Sequence, residues 1–307
     1  MKAVICTKYG PPEVLQIREV LKPTPRDNEV LIKIRATTVH VGDARIRRFD
    51  VPFAAIIPSR IFLGILRPRQ PILGMDLAGE IEDMGRNVTK FKRADQVFGS
   101  TGFKFGANAQ YICLPETGML ALKPEQVSWE EAAAVTNGGI IALLMLRKAD
   151  IRRGQNVLIY GASGSVGTYG VQLARYFGAR VTAVCSGSNL ELVKSLGAEV
   201  QIDYTQEDFT GRNEQYDVIF DAVGKFPPRQ ARKSLTKKGR YINVLTTSVK
   251  GHREPENMIL LRELMAEGKL KTVIDRCYRM DEIVEAHRYV DLGHKKGNVI
   301  VTVEHEN

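Results

Sequence analysis

The chain is short of cysteine, of long apolar runs and of any concentrated charge. Its cysteines, Cys6, Cys113, Cys185 and Cys277, lie far apart with no C-x-x-C pair. That excludes a disulfide framework and points to a reducing compartment. No apolar stretch is long enough to span a bilayer. The opening Met1-Lys-Ala-Val-Ile-Cys-Thr-Lys8 lacks the apolar core of a signal peptide and reads as a strand, so a cytoplasmic location is expected. The net charge of +9 is spread over the whole chain without a basic run or nucleic-acid motif. It reads as solvated faces and a field that attracts anionic ligands, with neither nucleic acid nor a membrane expected as partner. At 307 residues, 44% hydrophobic and 26% charged, this is an ordinary globular chain of about two domains.

What the chain does contain is organised around Asn156-Val-Leu-Ile-Tyr160 and the turn that follows, Gly161-Ala-Ser-Gly164-Ser-Val-Gly167. The short apolar run reads as a buried parallel strand. After the turn Val166, Val171, Leu173, Ala174 and Phe177 return at helical spacing. Strand, glycine turn and helix form a cradle for a diphosphate, because the first amides of a helix and its positive dipole end face the turn. The pattern G-x-G-x-x-G reads here as Ala162-Ser163-Gly164-Ser165-Val166-Gly167. Alanine stands where the turn is made, Gly164 admits a pyrophosphate to the backbone, and Gly167 lets helix and strand lie close. A tight turn without ligand is the alternative, but further strands follow at 180–185, 199–203, 216–224 and 240–245. Their alternation with helical segments predicts a doubly wound α/β nucleotide domain.

An NAD site ordinarily places Asp or Glu at the end of the second strand. That position is Cys185, and the turn Ser186-Gly-Ser188-Asn189 contains no acid. Small hydroxyl and amide donors accept a 2′-phosphate that a carboxylate would repel. The expected cofactor is therefore NADPH, with NADH open because no Arg or Lys stands in this turn. Tyr204 is a further donor or simply a packed aromatic. The end of the fourth strand, Ala222-Val223-Gly224, completes the predicted contacts.

Residues 1 to about 120 show short strands with Gly and Pro turns, at 2–7, 29–36, 77–83, 95–99 and 109–114, which suggest a small antiparallel barrel. Ser128-Trp-Glu-Glu131 is a capping box that starts a helix.

Pro71-Ile-Leu-Gly-Met-Asp-Leu-Ala-Gly-Glu80, Gly106-Ala-Asn-Ala-Gln-Tyr111, Glu130-Glu-Ala-Ala-Ala-Val135, the glycine turn and Gly293-His-Lys-Lys-Gly-Asn-Val299 follow a known order across nearly the whole chain. Together they resemble the medium-chain dehydrogenase/reductase superfamily, and most its zinc-free quinone oxidoreductase branch, zeta-crystallin-like proteins included. The resemblance implies a Rossmann domain inserted into a GroES-like (chaperonin-10-like) barrel: residues 1–121 and 269–307 for the catalytic domain, 122–268 for the nucleotide domain, with the nicotinamide in the cleft. It adds Asn137 and Asn298 to the cofactor contacts. The places of the superfamily's catalytic zinc ligands fall on His40, Met75 and Asn137. One candidate ligand of three cannot hold a tetrahedral zinc, and the four-cysteine structural lobe is missing, so no metal is expected. Where quinone reductases have an Asn and a Tyr facing the nicotinamide, this chain has His40 and Arg45. Histidine, which titrates near neutrality, could donate a hydrogen bond or proton to a carbonyl, and Arg45 could stabilise an oxyanion. A pocket-lining His40 and a surface Arg45 are the plain alternatives. Asp43 is expected to anchor the nucleotide or orient this loop, with a plain capping role as the alternative. Ile141 replaces a frequent Thr.

Residues 50–70 are apolar but broken by Pro52, Pro58, Arg60 and Pro68. They suit a lid over the cleft, offering apolar surface to a small carbonyl or quinone, or a packed barrel helix. Between Leu245 and Glu256 the chain is shorter than is usual in the family, where a sixth edge strand pairs subunits. A homodimer is therefore left in doubt. The function expected is NADPH-dependent, metal-free reduction of quinones or α,β-unsaturated carbonyls. An alcohol or carbonyl dehydrogenase of the same fold and a catalytically weak NADPH-binding scaffold are the other readings.

Overall fold

A computed structural model describes residues 1–248 and 254–305. Along the chain run β1 (Lys2–Cys6), β2 (Leu15–Glu19), β3 (Glu29–Thr38), α1 (Val41–Arg48), α2 (Ile56–Leu63), β4 (Asp76–Met84), β5 (Gln96–Ser100), β6 (Tyr111–Pro115), β7 (Met119–Leu122) and α3 (Trp129–Lys148). Then come β8 (Asn156–Tyr160), α4 (Ser165–Tyr176), β9 (Arg180–Cys185), α5 (Leu190–Ser195), β10 (Val200–Asp203), β11 (Tyr216–Asp221), α6 (Pro228–Ala231) and β12 (Leu235–Asn243). The chain closes with α7 (Pro255–Ala266), β13 (Ile274–Arg279), α8 (Ile283–Asp291) and β14 (Asn298–Thr302).

Two compact units emerge, one of 1–137 with 274–307 and one of 138–273. Their limits fall at Asn137 and Ile274 rather than at residues 122 and 269, for reasons local to each unit. Asn137 is bonded to His40, whereas Lys271 exchanges two hydrogen bonds with Gln172.

In the first unit seven strands run in the order β13-β14-β3-β4-β5-β7, with β6 also on β3. β3 is the hinge of this sheet. It pairs antiparallel with β4 along most of its length and with β6 and then β14 along successive parts of it, which curls the sheet around Val30, Ile32, Ile34, Leu77, Ile81 and Val301, all buried. β1 and β2 form a separate hairpin pair. β2 and β7 have no sequence expectation behind them: β2 buries only Leu15 and so carries no alternating signal.

The second unit is a five-stranded parallel sheet in the order β10-β9-β8-β11-β12. β8 and β11 are central and bury nearly every side chain, which is why they read as continuous apolar runs. The strand order reverses between β8 and β11, and ligands of such sheets bind at the carboxyl ends flanking that point. β12 begins earlier than expected, at Leu235, because Leu235 pairs with Tyr216 ahead of a bulge. It lies at an edge, carrying exposed Lys237 and Lys238, charges of the kind that discourage edge-to-edge pairing. Residues 249–253 of the short segment beyond it lie outside the described residues.

Close backbone approach fixes the β3–β4 pair. A Cβ on Gly79 would stand 2.3 Å from the Lys33 carbonyl oxygen and 2.9 Å from Ile34 Cα. Gly79→Val should therefore destabilise the barrel unit by about 1–3 kcal/mol, read as a lower urea midpoint. An unchanged midpoint would show that β3 and β4 can separate at no cost.

Candidate active site

In the nucleotide unit the chain leaves β8 through Gly161, at φ 75°. The turn's left-handed residue is thus Gly161, not Ala162, which is buried behind it. Gly161 and Ala162 both donate to the Val184 carbonyl, at 2.9 and 3.0 Å, tying the turn to β9. α4 starts with Gly164 as its N-cap, and its first bond runs from Thr168 N–H to the Gly164 carbonyl, at 2.9 Å. The Val166 and Gly167 amides precede that bond and have no helical acceptor.

The two later glycines differ in what requires them. A Cβ on Gly167 would lie 2.2 Å from the Gly161 oxygen and 2.8 Å from Ala162 Cα, so glycine there is demanded by the packing of helix on turn. A Cβ on Gly164 would meet only the Gly161 oxygen, at 3.5 Å, and φ there is −79°. Neither backbone conformation nor packing accounts for glycine at 164. A group that must approach the backbone from outside does, and a diphosphate on the helix amides fits that opening.

The second turn is joined to the first. Asn189 donates to Ser163 Oγ at 3.1 Å and to Ser186 Oγ at 3.0 Å, and Ser186 and Ser188 hydroxyls stand 3.5 Å apart. The Asn189 Oδ1 is buried without a partner. Tyr204 is half exposed beside Tyr160, with ring centroids 6.5 Å apart. The turn has no acid of its own, but β10 brings one: the Asp203 carboxylate accepts from the Gly187 amide and, at 2.9 and 2.8 Å, from Thr205 N and Oγ1. Those bonds hold its pKa below the usual carboxylate value.

Beyond β11, Ala222 donates to the Tyr160 carbonyl at 3.0 Å, and Val223 and Gly224 donate to Asp221 Oδ1 at 3.0 and 2.8 Å. Asp221 is fully buried and enters no ion pair among the described residues. Its other oxygen accepts from Phe226 N, Asn243 Nδ2 and the Tyr241 hydroxyl. One carboxylate thereby shapes the loop whose Val223 side chain leans on Gly161. Asp221, Tyr241 and Asn243 were not singled out by sequence; the only signal was an acid at a strand end.

In the barrel unit His40 caps α1. Its Nδ1 accepts from Gly42 N at 2.9 Å, and its own amide donates to Asp43 Oδ2 at 3.2 Å, a reciprocal capping box. With Nδ1 accepting, the neutral ring carries its proton on Nε2. Nε2 stands 3.4 Å from Asp43 Oδ2 and 3.2 Å from the Asn137 side-chain amide. Asn137 Nδ2 is the atom that faces Nε2, and an N–H on Nε2 requires that amide to be turned so that its oxygen meets the ring. Asp43 is sealed from solvent, and it orients this loop. Arg45 is not brought to the cluster: its guanidinium is turned to Asp50, at 3.8 Å, and is 40% exposed. Asn298 opens β14 and is buried in the same unit.

Sequence reading missed Asp76. It too is buried, accepts from Thr38 Oγ1 at 2.8 Å, and leaves Oδ1 without a partner, as Asp43 does. Burial pushes the Asp43 carboxyl up against the pull of His40. Burial likewise pushes Asp76 up to about 6, with His40, Thr136 and Thr38 opposing and Asp43 adding to the rise. Two buried carboxyls with one unpaired oxygen each, beside one imidazole, hold a proton more readily than a full set of charges.

Residues 26–125 match the alcohol dehydrogenase GroES-like domain and residues 165–281 the zinc-binding dehydrogenase domain. A 2-methylene-furan-3-one reductase of Solanum lycopersicum is 33% identical, over 98% of this chain and 79% of its own. The chain belongs to the medium-chain dehydrogenase/reductase superfamily. Within it the chain is similar to an NADPH-dependent alkenal/one oxidoreductase, chloroplastic, of Arabidopsis thaliana, 30% identical over 98% of this chain and 79% of that one. The solved quinone oxidoreductase from Coxiella burnetii superposes with a TM-score of 0.84 at 28% identity, covering 99% of both chains. The fold is accordingly the GroES-like barrel with a Rossmann domain, and the cofactor is a nicotinamide dinucleotide. No helix among the described residues is long and apolar enough to cross a membrane.

The zinc that the matched domain's description names does not fit the residues present. His40 Nδ1 is committed to the Gly42 amide, and its companions at the ligand places are the Met75 thioether and the Asn137 amide. Among the described residues no group of three or more His, Cys, Asp or Glu could hold a metal.

Asp76 gives a pH test. The folded chain keeps this proton up to about pH 6, against an ordinary 3.8. The stability it contributes is present below about pH 4 and is lost as pH rises through 6. Asp76→Asn should flatten that decline by about 2–3 kcal/mol, measured by urea unfolding across the window. Parallel profiles for the two proteins would mean that Asp76 is ionised throughout.

Proposed function

We propose that this protein is an NADPH-dependent, zinc-independent reductase of quinones or α,β-unsaturated carbonyls. The observation that carries the mechanism is the locked tautomer of His40: with Nδ1 bound to Gly42 N–H, the ring offers a proton only at Nε2. When bound, the nicotinamide supplies hydride, and the chain's residues supply binding, orientation and charge stabilisation. Val166 and Gly167 amides hold the diphosphate, with Ala162, Ser163, Gly164 and Ser165 forming the rest of the cradle. Ser186, Ser188, Asn189 and Tyr204 surround the adenosine ribose. Ala222, Val223, Gly224, Asn137 and Asn298 complete the cofactor contacts.

His40 Nε2–H donates to the substrate oxygen as negative charge builds there. Asp43 and Asn137 hold the ring in that orientation. Protonating Nδ1 would set an N–H against the Gly42 amide and break the helix cap, so His40 acts as a neutral hydrogen-bond donor. Arg45, engaged with Asp50, has no part in this scheme as it stands. The Asp203 carboxylate beside the ribose turn favours tolerance of NADH alongside NADPH. The reaction needs no nucleic acid and no spanning anchor, and the reducing, cytoplasmic setting suits the free cysteines.

Oxidation of NADPH and NADH should be followed with a naphthoquinone, an enone and a simple aldehyde. Turnover is expected with the quinone or the enone and not with the aldehyde. Tight NADPH binding without turnover of any of them would favour a scaffold, and aldehyde reduction alone a carbonyl dehydrogenase. One zinc per purified chain would overturn the metal-free assignment. His40→Ala should lower kcat by about 10²-fold with nucleotide affinity unchanged. Gly164→Val should do the reverse of a packing mutation, weakening NADPH binding at least tenfold while leaving the melting midpoint in place, whereas Gly167→Val should lose both.

A further inference from the structure

The barrel unit turns part of its apolar content outward. α2 has no buried residue, and of the chain's exposed large hydrophobic side chains Phe53, Ile57, Ile61, Phe62, Ile65 and Leu66 fall in one short stretch. Phe53 and Leu66 are 92% and 82% exposed. A contiguous patch of this kind on a soluble domain marks a surface that is covered in use. The stretch is nonetheless firmly built at its base. Arg60 lies over the Phe49 ring at 3.8 Å and donates to the Ile65 carbonyl. The Tyr9 hydroxyl donates to the Gly64 carbonyl at 3.0 Å, and Arg69 N donates to the Leu63 carbonyl at 2.7 Å. Gly64, at φ 119°, is required, since a Cβ would stand 2.2 Å from the Arg67 oxygen. The outward side chains are thus presented by a fixed turn.

The charge beside the patch has one sign. No Asp or Glu occurs between Asp50 and Asp76. Arg67 and Arg69 are exposed and enter no ion pair among the described residues. With Arg18, whose guanidinium donates to the Gln16 amide oxygen and enters no ion pair among the described residues, they line a cavity of about 280 Å³ together with Thr7. Three arginines around a cavity with no carboxylate on its wall make a receptor for a phosphate-sized anion. An apolar helix that enters the acyl boundary beside cations that hold headgroups is the make-up of an interfacial segment.

We propose that this face docks on the surface of an anionic lipid bilayer, with Phe53, Ile57, Ile61, Phe62 and Leu66 in the headgroup–acyl boundary and a lipid phosphate between Arg18, Arg67 and Arg69. Docking requires no spanning helix. It is independent of the reductase reading; only its use, to meet apolar quinones or enones where they partition, rests on that reading.

The test is sedimentation of the full chain with sucrose-loaded vesicles, of phosphatidylcholine alone or mixed equally with phosphatidylglycerol, without nucleotide. Binding is expected to the mixed vesicles, at least tenfold stronger than to the neutral ones and weakened by high salt. Arg67→Ala with Arg69→Ala should weaken it about thirtyfold. Phe62→Asp should abolish it while melting and NADPH binding stay unchanged, since Phe62 is 65% exposed. Inorganic phosphate that competes at millimolar level without vesicle binding would show an anion pocket alone and overturn the docking. So would equal binding to both vesicle types, indifference to Phe62→Asp, a self-associating protein that Phe62→Asp turns monomeric with no lipid bound, or a variant whose only change is a higher KM.

Discussion

The nucleotide unit depends on a contact in which no side chain takes part. Gly167 lies so close to the Gly161 carbonyl and to Ala162 Cα that a single methyl would have to displace α4 from its turn. That contact sets where the first amides of α4 point, and a helix terminus binds an anion only if its amides converge on one place. The opposite wall is set just as indirectly. Asp221 is buried, enters no ion pair among the described residues and takes its stabilisation from backbone amides of the next loop. Its geometry therefore dictates the loop, and through Val223 the space left beside Gly161. One wall of the cradle is backbone held by backbone and the other is backbone held by one short buried carboxylate, which is stiffer than a site assembled from long side chains.

The barrel unit shows the same economy in a different chemistry. His40 is first a helix cap, and its catalytic proposal follows from being one. A cap that accepts through Nδ1 has chosen its tautomer, and the capping carboxylate of Asp43 then lies beside the remaining N–H. Histidine at this place is a donor with a ring that the neighbouring buried carboxyl can orient. Burial pushes the Asp43 and Asp76 carboxyls up, against the pull of His40.

What could be read from the chain was what is local. β8, β9, the glycine turn and the Ser128–Glu131 box all announce themselves in consecutive residues, and the structure has them where they were expected. What could not be read depends on which distant residues meet. Asp76 lies in a motif that reads as strand, and nothing in its neighbours says that its Oδ1 is left without a partner. Asp203 sits at the end of β10, yet its charge is felt at the turn after β9, because parallel pairing sets Asp203 against Cys185. Arg45 was a candidate by position on α1, but a helix turns such a side chain according to its register, and the register points it to Asp50. β2 escaped because an exposed strand has no apolar alternation to betray it.

The barrel unit departs from the usual partition of polar and apolar groups in both directions, and the departures are not equivalent. Arg47 is wholly buried, but it is answered by the Gly10 carbonyl at 3.0 Å and by Asp291 at 2.5 Å, so it reads as structure. His287 beside it is neutral, its pKa pushed down to about 3 by burial with Arg47 adding to the fall. Arg47 Nε and both His287 nitrogens are buried without a partner, as are Asp43 Oδ1 and Asp76 Oδ1, but only the two carboxyls are pushed by burial toward holding a proton. The exposed face of α2 is the mirror case, apolar groups with nothing to cover them. Folding alone would remove both kinds of defect, the one by an apolar core and the other by a polar surface. Their persistence in one unit argues that the interior defect answers to a proton and the exterior one to a surface outside the chain.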